Sequence, residues 1–277
     1  MKDNRFDSLL CGQQPSQTAR VVLHMMWSVL GYILTYAVFV VLFSSFHADV
    51  CVIQAMSGIY VIWRCWKHER KKGIDYLEVS GFKNYEISKQ EILILIGFGF
   101  ALNCFVGGVM NLLPINAEAA ADYMEMSASP VDGVHPMLAF FVIAFVAPVI
   151  EESFFRGTLL RRLKEQISPY YALIVVSLVF GLMHGQIIWI CYASVLGLVL
   201  GMIYLMYDSI YPSMIVHISF NLVSGIPMIL NPTGIFYRLT FGNTVFLWIM
   251  AIGGLTGTAW ILFQIYFPRF MNLQDKK

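Results

Sequence analysis

Long apolar runs separated by short polar stretches dominate the pattern of this 277-residue chain. The runs are much longer than a membrane-spanning strand and lack two-residue alternation, so they predict helices and not a barrel. The predicted spans are eight in number, at residues 21–46, 50–66, 91–115, 135–160, 169–184, 187–207, 211–230 and 244–267. The pattern therefore predicts an all-α, polytopic transmembrane bundle of eight helices.

The composition agrees with this prediction and is not that of a soluble domain. Hydrophobic residues make up 58% of the chain and charged residues 13%, and the mean hydropathy is +0.69. The cysteines show no disulfide or metal-ligand spacing and are predicted to be small core residues. They are Cys11, Cys51, Cys65, Cys104 and Cys191. We expect the lipid bilayer to be a partner of this chain and nucleic acid not to be.

The distribution of basic residues predicts the orientation of the chain. Lys and Arg concentrate in segments 64–89 and 161–164, whereas the loop 116–134 is acidic and contains neither. Because cytoplasmic loops carry an excess of Lys and Arg, both basic segments and both chain ends are expected to be cytoplasmic. The predicted units are a cytoplasmic segment 1–20, a membrane domain 21–268 and a cytoplasmic tail 269–277.

Ionisable residues are rare within the predicted spans, because a charge at the bilayer centre costs about 3 kcal/mol or more. The exceptions of interest are Glu151, Glu152 and Arg156 in the fourth span, His184 at the end of the fifth, and His217 with Asn221 in the seventh. Residues of this kind mark functional sites more often than ordinary packing when several lie at one depth. We therefore expect a site at this position.

The spacing within the fourth span separates the two glutamates. Glu152 and Arg156 are four residues apart, so they share a helix face and are expected to form an ion pair. Glu151 is rotated by about 100° on a regular helix and needs another partner, water or a proton. Pro148 is expected to kink the helix and to free backbone carbonyls nearby.

The connection between the fourth and fifth spans brings Glu151 level with His184. Glu151 lies about 17 residues before the turn at Ser168 and His184 about 16 after it, so at about 1.5 Å per residue both stand roughly 25 Å from the turn. His217 and Asn221 are four residues apart on one face of the seventh span, at a similar depth. The spacing thus predicts one site built from three helices.

These residues also carry a family resemblance. EESFFR fits an EExxxR motif, FGLMH fits FxxxH, and HISFN fits HxxxN. Their order and spacing resemble the CPBP family of intramembrane proteases, which includes type II CAAX prenyl proteases and bacterial bacteriocin-processing and self-immunity enzymes. The resemblance covers residues 135–230, about a third of the chain.

The resemblance implies an eight-helix fold with a water-filled conical cavity, in which peptide bonds are hydrolysed inside the membrane. The roles it implies are activation of the water by Glu151 and His184, stabilisation of the oxyanion by His217 and Asn221, and support of the site by Glu152 and Arg156. No serine or cysteine occupies a comparable position, which argues against a covalent mechanism. The implied substrate is a membrane-embedded or lipid-anchored peptide, either a bacteriocin-type or signalling precursor or a CAAX-like protein, in a bacterial plasma membrane.

Two questions stay open at this level. Glu151, His184 and His217 could ligate zinc, but EExxxR is not HExxH and the family is generally described as needing no metal, so we expect no cofactor. A proton-coupled transporter and a non-catalytic membrane scaffold are alternative functions. The sequence shows no internal repeat and no paired broken helices of the kind found in transporters.

Overall fold

The computed structural model describes residues 17–44, 50–82, 86–112, 135–230 and 243–274. The predicted acidic loop 116–134 and Cys11 lie outside these residues, as do most of segment 1–20 and the end of the tail. The predicted division into a membrane domain with two cytoplasmic ends therefore stays a prediction.

Within these ranges the chain forms nine helices and no strand, which confirms the all-α class. The helices are α1 (Gln17–Ser44), α2 (Val50–Lys71), α3 (Tyr76–Val79), α4 (Lys89–Leu112), α5 (Pro136–Lys164), α6 (Pro169–Leu182), α7 (Ile187–Tyr207), α8 (Ile210–Leu230) and α9 (Thr244–Gln274). Each of the eight predicted spans coincides with one helix, and the short helix α3 is additional.

Five helices of the described chain are long and apolar enough to cross a membrane, namely α1, α4, α5, α7 and α9. Helix α6 is apolar but has only 14 residues. The chain is an integral membrane protein, and the number of eight spans is still a prediction.

Glycines allow the helices of the bundle to approach closely. A Cβ at Gly99 of α4 would collide with the α8 backbone at Val216, and one at Gly254 of α9 would collide with the α4 backbone at Phe105. On α7, a Cβ at Gly197 would lie 3.2 Å from Ser177 of α6, a tight contact but not a collision. Close approach through small residues is how membrane helices gain packing energy in the absence of a hydrophobic driving force.

Helix α5 is interrupted twice by π-helical turns, Val142–Val146 and Phe155–Leu160. The α-helical segment between them, Ala147–Phe154, carries both glutamates. In the first π turn the N–H of Ala147 donates to the carbonyl of Val142, five residues back. If the same five-residue hydrogen-bond pattern continued to the next residue, Pro148 would donate to the carbonyl of Ile143. Proline has no N–H and cannot make this bond. The disruption expected at Pro148 is therefore a π turn in which the carbonyl of Ile143 has no backbone donor.

The short helix α3 anchors the polar segment after α2 to the second π turn. Asp75 caps α3 by accepting from the N–H of Leu77 at 3.1 Å. Tyr76 is buried, and its hydroxyl donates to the carbonyl of Ser153 at 2.7 Å and lies 3.0 Å from the hydroxyl of Thr158. These contacts fix the part of α5 that follows the glutamates and precedes the basic segment 161–164.

Candidate active site

Residues from all three motifs meet at one cavity of about 290 Å³. Glu151, His184, His217 and Asn221 all line it. Helix α5 supplies the carboxylate, the residue two positions beyond α6 supplies one imidazole, and α8 supplies the other imidazole and the amide. The remaining wall includes Gln54 of α2 and apolar side chains, so a few polar groups converge in a largely apolar pocket, as is typical of binding sites.

The two adjacent glutamates lie in different environments. The side chain of Glu151 is 18% exposed and lines the cavity, and its Oε2 lies 3.7 Å from Nε2 of His217. The side chain of Glu152 is fully buried. One glutamate can therefore reach a molecule in the cavity and the other cannot.

The predicted ion pair is present. Arg156 Nη1 donates to Glu152 Oε1 at 2.6 Å, and both side chains are at most 1% exposed. Arg156 Nη2 donates to the carbonyl of Gly197 on α7 at 3.0 Å, and the guanidinium lies 4.9 Å from the ring centre of Phe180. A buried charge needs such partners, because losing them leaves it uncompensated in a medium of low dielectric constant.

His217 connects the buried pair to the cavity. Its Nδ1 lies 2.9 Å from Glu152 Oε1, and since a carboxylate only accepts hydrogen bonds, Nδ1 carries a proton. The other ring nitrogen, Nε2, faces Glu151. The sequence did not predict the contact between His217 and Glu152, because it joins helices α5 and α8, which are distant along the chain.

His184 is oriented by its own helix end. Its Nδ1 lies 2.9 Å from the carbonyl oxygen of Phe180, one turn earlier, and a carbonyl can only accept. Nδ1 therefore carries the proton in the neutral ring, which leaves the lone pair on Nε2. The ring also packs edge-on against Phe180 at 5.0 Å between centroids. A histidine fixed in this tautomer can accept a proton from a molecule in the cavity.

Asn221 compensates for the proline in α5. Its Nδ2 donates to the carbonyl of Ile143 at 2.9 Å, the group that Pro148 leaves without a backbone donor. This bond uses one amide hydrogen, and an asparagine that lines the cavity has a second hydrogen and an oxygen for further bonds. The HxxxN motif and the proline are thus parts of one local structure.

A metal site is not assembled among the residues that the structure describes. No group of three His, Cys, Asp or Glu side chains lies in a position to hold a metal ion. The alternative zinc set of Glu151, His184 and His217 has no support from this geometry.

Several residues of the cavity wall were missed at the sequence level, including two from the N-terminal helices. Tyr32 of α1 and Gln54 of α2 line the cavity beside Glu151, although the N-terminal third contains no recognisable motif. Tyr32 lies within an ordinary apolar run, and Gln54 is a lone polar residue in the second one. Only the fold brings them to the site.

The arrangement brings a carboxylate, two imidazoles and an amide to one pocket within the helical bundle. In agreement, residues 133–223 match the family described as type II CAAX prenyl endopeptidase Rce1-like. The match covers about a third of the chain and includes all seven defining residues of the three motifs. It confirms the resemblance to CPBP proteases and supports an intramembrane endopeptidase in general. No curated protein and no solved structure matches the chain.

Proposed function

We propose that this protein hydrolyses peptide bonds of a membrane-associated peptide with a water molecule activated by Glu151 and His184. One observation carries the proposal. Of the two adjacent glutamates, Glu152 is buried and paired with Arg156, whereas Glu151 lines the cavity. The same cavity is lined by His184, whose lone pair is on Nε2. A base must be within reach of its proton, and only Glu151 meets this condition.

In the proposed reaction Glu151 and Nε2 of His184 hold the water between them. The water oxygen attacks the carbonyl carbon of the scissile bond as its proton passes to this pair. The resulting tetrahedral intermediate collapses with cleavage of the C–N bond, and the proton is returned to the leaving amine. No covalent enzyme intermediate is formed.

His217 and Asn221 are proposed to stabilise the oxyanion. Asn221 would donate the amide hydrogen that Ile143 does not use. His217 would act in its protonated form, donating from Nδ1 to Glu152 and from Nε2 to the oxyanion. With Arg156, a protonated His217 balances the charges of both glutamates, which reduces the cost of placing two carboxylates in a membrane helix. A preorganised donor of this kind typically contributes about 3 kcal/mol to catalysis.

The substrate class is proposed from the surroundings of the site. The cavity lies among apolar helices, so a peptide must approach it from the membrane or from the membrane surface. A bacteriocin-type or signalling-peptide precursor, or a CAAX-like protein, meets this requirement. We propose further that both chain ends are cytoplasmic and that the protein resides in a bacterial plasma membrane.

The test uses the full chain in proteoliposomes, with a farnesylated CAAX-type peptide and a set of unlipidated hydrophobic peptides as probes. Cleavage in heavy-oxygen water is followed by mass spectrometry of the new carboxyl terminus. Glu151→Gln and His184→Ala are expected to lower the rate by at least about 100-fold. Their double variant is expected to be no worse than either single one, because groups that act as a unit are not additive.

Glu165→Gln is the matched control, since this glutamate is 57% exposed and lies outside the cavity. Activity of Glu151→Gln equal to that of the control would contradict the assignment of Glu151 as base. Proton flux that depends on Glu151 without any new peptide terminus would instead support the transporter alternative.

A further inference from the structure

A second cavity lies toward the other end of α2 from the candidate active site, beside Val61–His68 instead of Cys51–Ala55. Its volume is about 400 Å³, compared with about 290 Å³ for the cavity at Glu151, and the two share no lining residue. Helices α1 and α2 and the basic end of α5 form its walls. What it binds is therefore a separate question from the proposed hydrolysis.

One end of this cavity is strongly basic. Arg20, His24, Arg64, His68 and Arg162 line it. Arg162 lies 3.0 Å from Nδ1 of His24, and His24 lies 3.2 Å from His68, so three of these groups contact one another. The chain segments next to this end of the cavity carry further Lys and Arg residues.

The carboxylate of Glu69, which contacts this cluster through Arg162, is already paired with two arginines. Glu69, which lies beyond the predicted span 50–66, pairs with both Arg161 and Arg162. Burial raises the pKa of Glu69, but the hydrogen bond and charge of Arg162 and the charge of Arg161 outweigh it and hold the pKa below its usual range. Neither Arg20 nor Arg64 has an ion pair among the described residues. Among the residues that the structure describes, the basic end therefore has more cationic groups than carboxylates.

The rest of the cavity is an apolar groove that continues along α1. Leu23, Trp27 and Gly31 line it on one side and Val61 on the other. Leu23 and Trp27 are 52% and 63% exposed, so α2 does not cover them. Gly31 leaves open space in the groove, since a Cβ built there meets no atom within 4 Å.

We propose that this groove binds one anionic phospholipid, with its phosphate among Arg20, Arg64 and Arg162 and an acyl chain along Leu23, Trp27 and Gly31. A basic pocket between transmembrane helices at the cytoplasmic side is the chemistry that selects acidic headgroups. A soluble anion would account for the basic end but not for the apolar groove that continues from it. The bilayer around the protein supplies a ligand that has both parts.

The experiment measures phospholipid retention by native mass spectrometry on the full chain released from mixed phosphatidylglycerol and phosphatidylcholine vesicles. The wild type is expected to retain phosphatidylglycerol in preference to phosphatidylcholine. Arg20→Gln and Arg64→Gln are each expected to weaken retention about fivefold. Gly31→Leu is expected to weaken it with every charge in place, because the added side chain fills the groove. Arg64→Lys keeps the charge and should retain most of the binding.

Two matched controls separate a built site from general attraction. Arg70→Gln removes a cation from the same end of α2, outside the cavity, and Gly253→Leu fills an equally open glycine position on α9. Both should leave retention unchanged. Equal losses in Arg64→Gln and Arg70→Gln would overturn the proposal in favour of diffuse electrostatics. Retention unaffected by Gly31→Leu, together with full displacement of the lipid by free glycerol phosphate, would overturn it in favour of a soluble anion site.

Discussion

The most apolar 18-residue stretches of helices α1 and α5 have the same mean hydropathy, 2.0, but very different surroundings. In α1, 6% of this stretch is buried within the protein, whereas in α5 50% of it is buried. Hydropathy selects both helices for the membrane but does not distinguish the lipid-facing helix from the protein-facing one. The distinction lies in the few polar residues, because Glu152 and Arg156 require protein partners that lipid cannot provide.

The two helices also differ in backbone regularity. Helix α1 is α-helical from Gln17 to Ser44, whereas α5 contains one π turn before its glutamates and one after them. Groups from three other helices contact α5 there: Tyr76 of α3 reaches the carbonyl of Ser153, Gly197 of α7 accepts from Arg156, and His217 of α8 reaches Glu152. Irregular backbone at membrane depth is tolerated only where protein surrounds it. The predictions below test the contacts that surround α5, and the last one compares α5 with α1 directly.

The largest effect is expected for the buried ion pair of α5. Arg156→Ala should lower the free energy of unfolding by about 3–5 kcal/mol, because it leaves the buried Glu152 carboxylate uncompensated. Replacing both partners by Met should recover part of this loss, since no charge is then left unpaired. Thermal unfolding in detergent measures the series. The pairing scheme would be refuted if Arg156→Ala were as stable as the wild type while Glu151→Gln was not.

A smaller loss is expected at the first π turn. Asn221→Leu leaves the partly buried carbonyl of Ile143 without this donor, which should cost about 1–2 kcal/mol. Asn111→Leu is the matched control, because Asn111 makes the same kind of bond to the carbonyl of Gly107, at 2.8 Å, but at an exposed position. Its loss should be close to zero, as water can replace the amide. Equal thermal shifts for the two variants would remove the link between Asn221 and Pro148.

The second π turn should respond more weakly still. Tyr76→Phe keeps the packed ring but removes the closer of two donors to the carbonyl of Ser153, leaving the 3.3 Å bond from Thr158 Oγ1. A loss of about 1 kcal/mol is therefore expected. Tyr170→Phe, at a tyrosine that is 78% exposed, serves as the control and should be neutral. The same thermal measurement applies. A neutral Tyr76→Phe would mean that the π turn does not depend on the docking of α3.

Much of this molecule follows from one-dimensional spacing. The apolar runs predicted the helices, and the four-residue spacing of Glu152 and Arg156 predicted their pair. The contact of His217 with Glu152 could not be predicted, because it depends on how α8 packs against α5. The same holds for Tyr76, whose segment is polar and looks like a plain connection until α3 docks on α5. Spacing fixes which residues share a helix face, and tertiary packing decides which faces meet.

The smallest effect is expected on α1, where a matched pair of leucines tests the comparison directly. Leu34 of α1 is 53% exposed and Leu160 of α5 is fully buried. Leu160→Ala should cost about 2–5 kcal/mol, since a cavity stays behind in packed protein. Leu34→Ala should change stability by no more than about 0.5 kcal/mol, because lipid tails are as apolar as the leucine and refill the space. Both variants are unfolded thermally in the same detergent and lipid. A loss at Leu34 comparable to that at Leu160 would show that α1 packs against protein after all, such as a second copy of the chain.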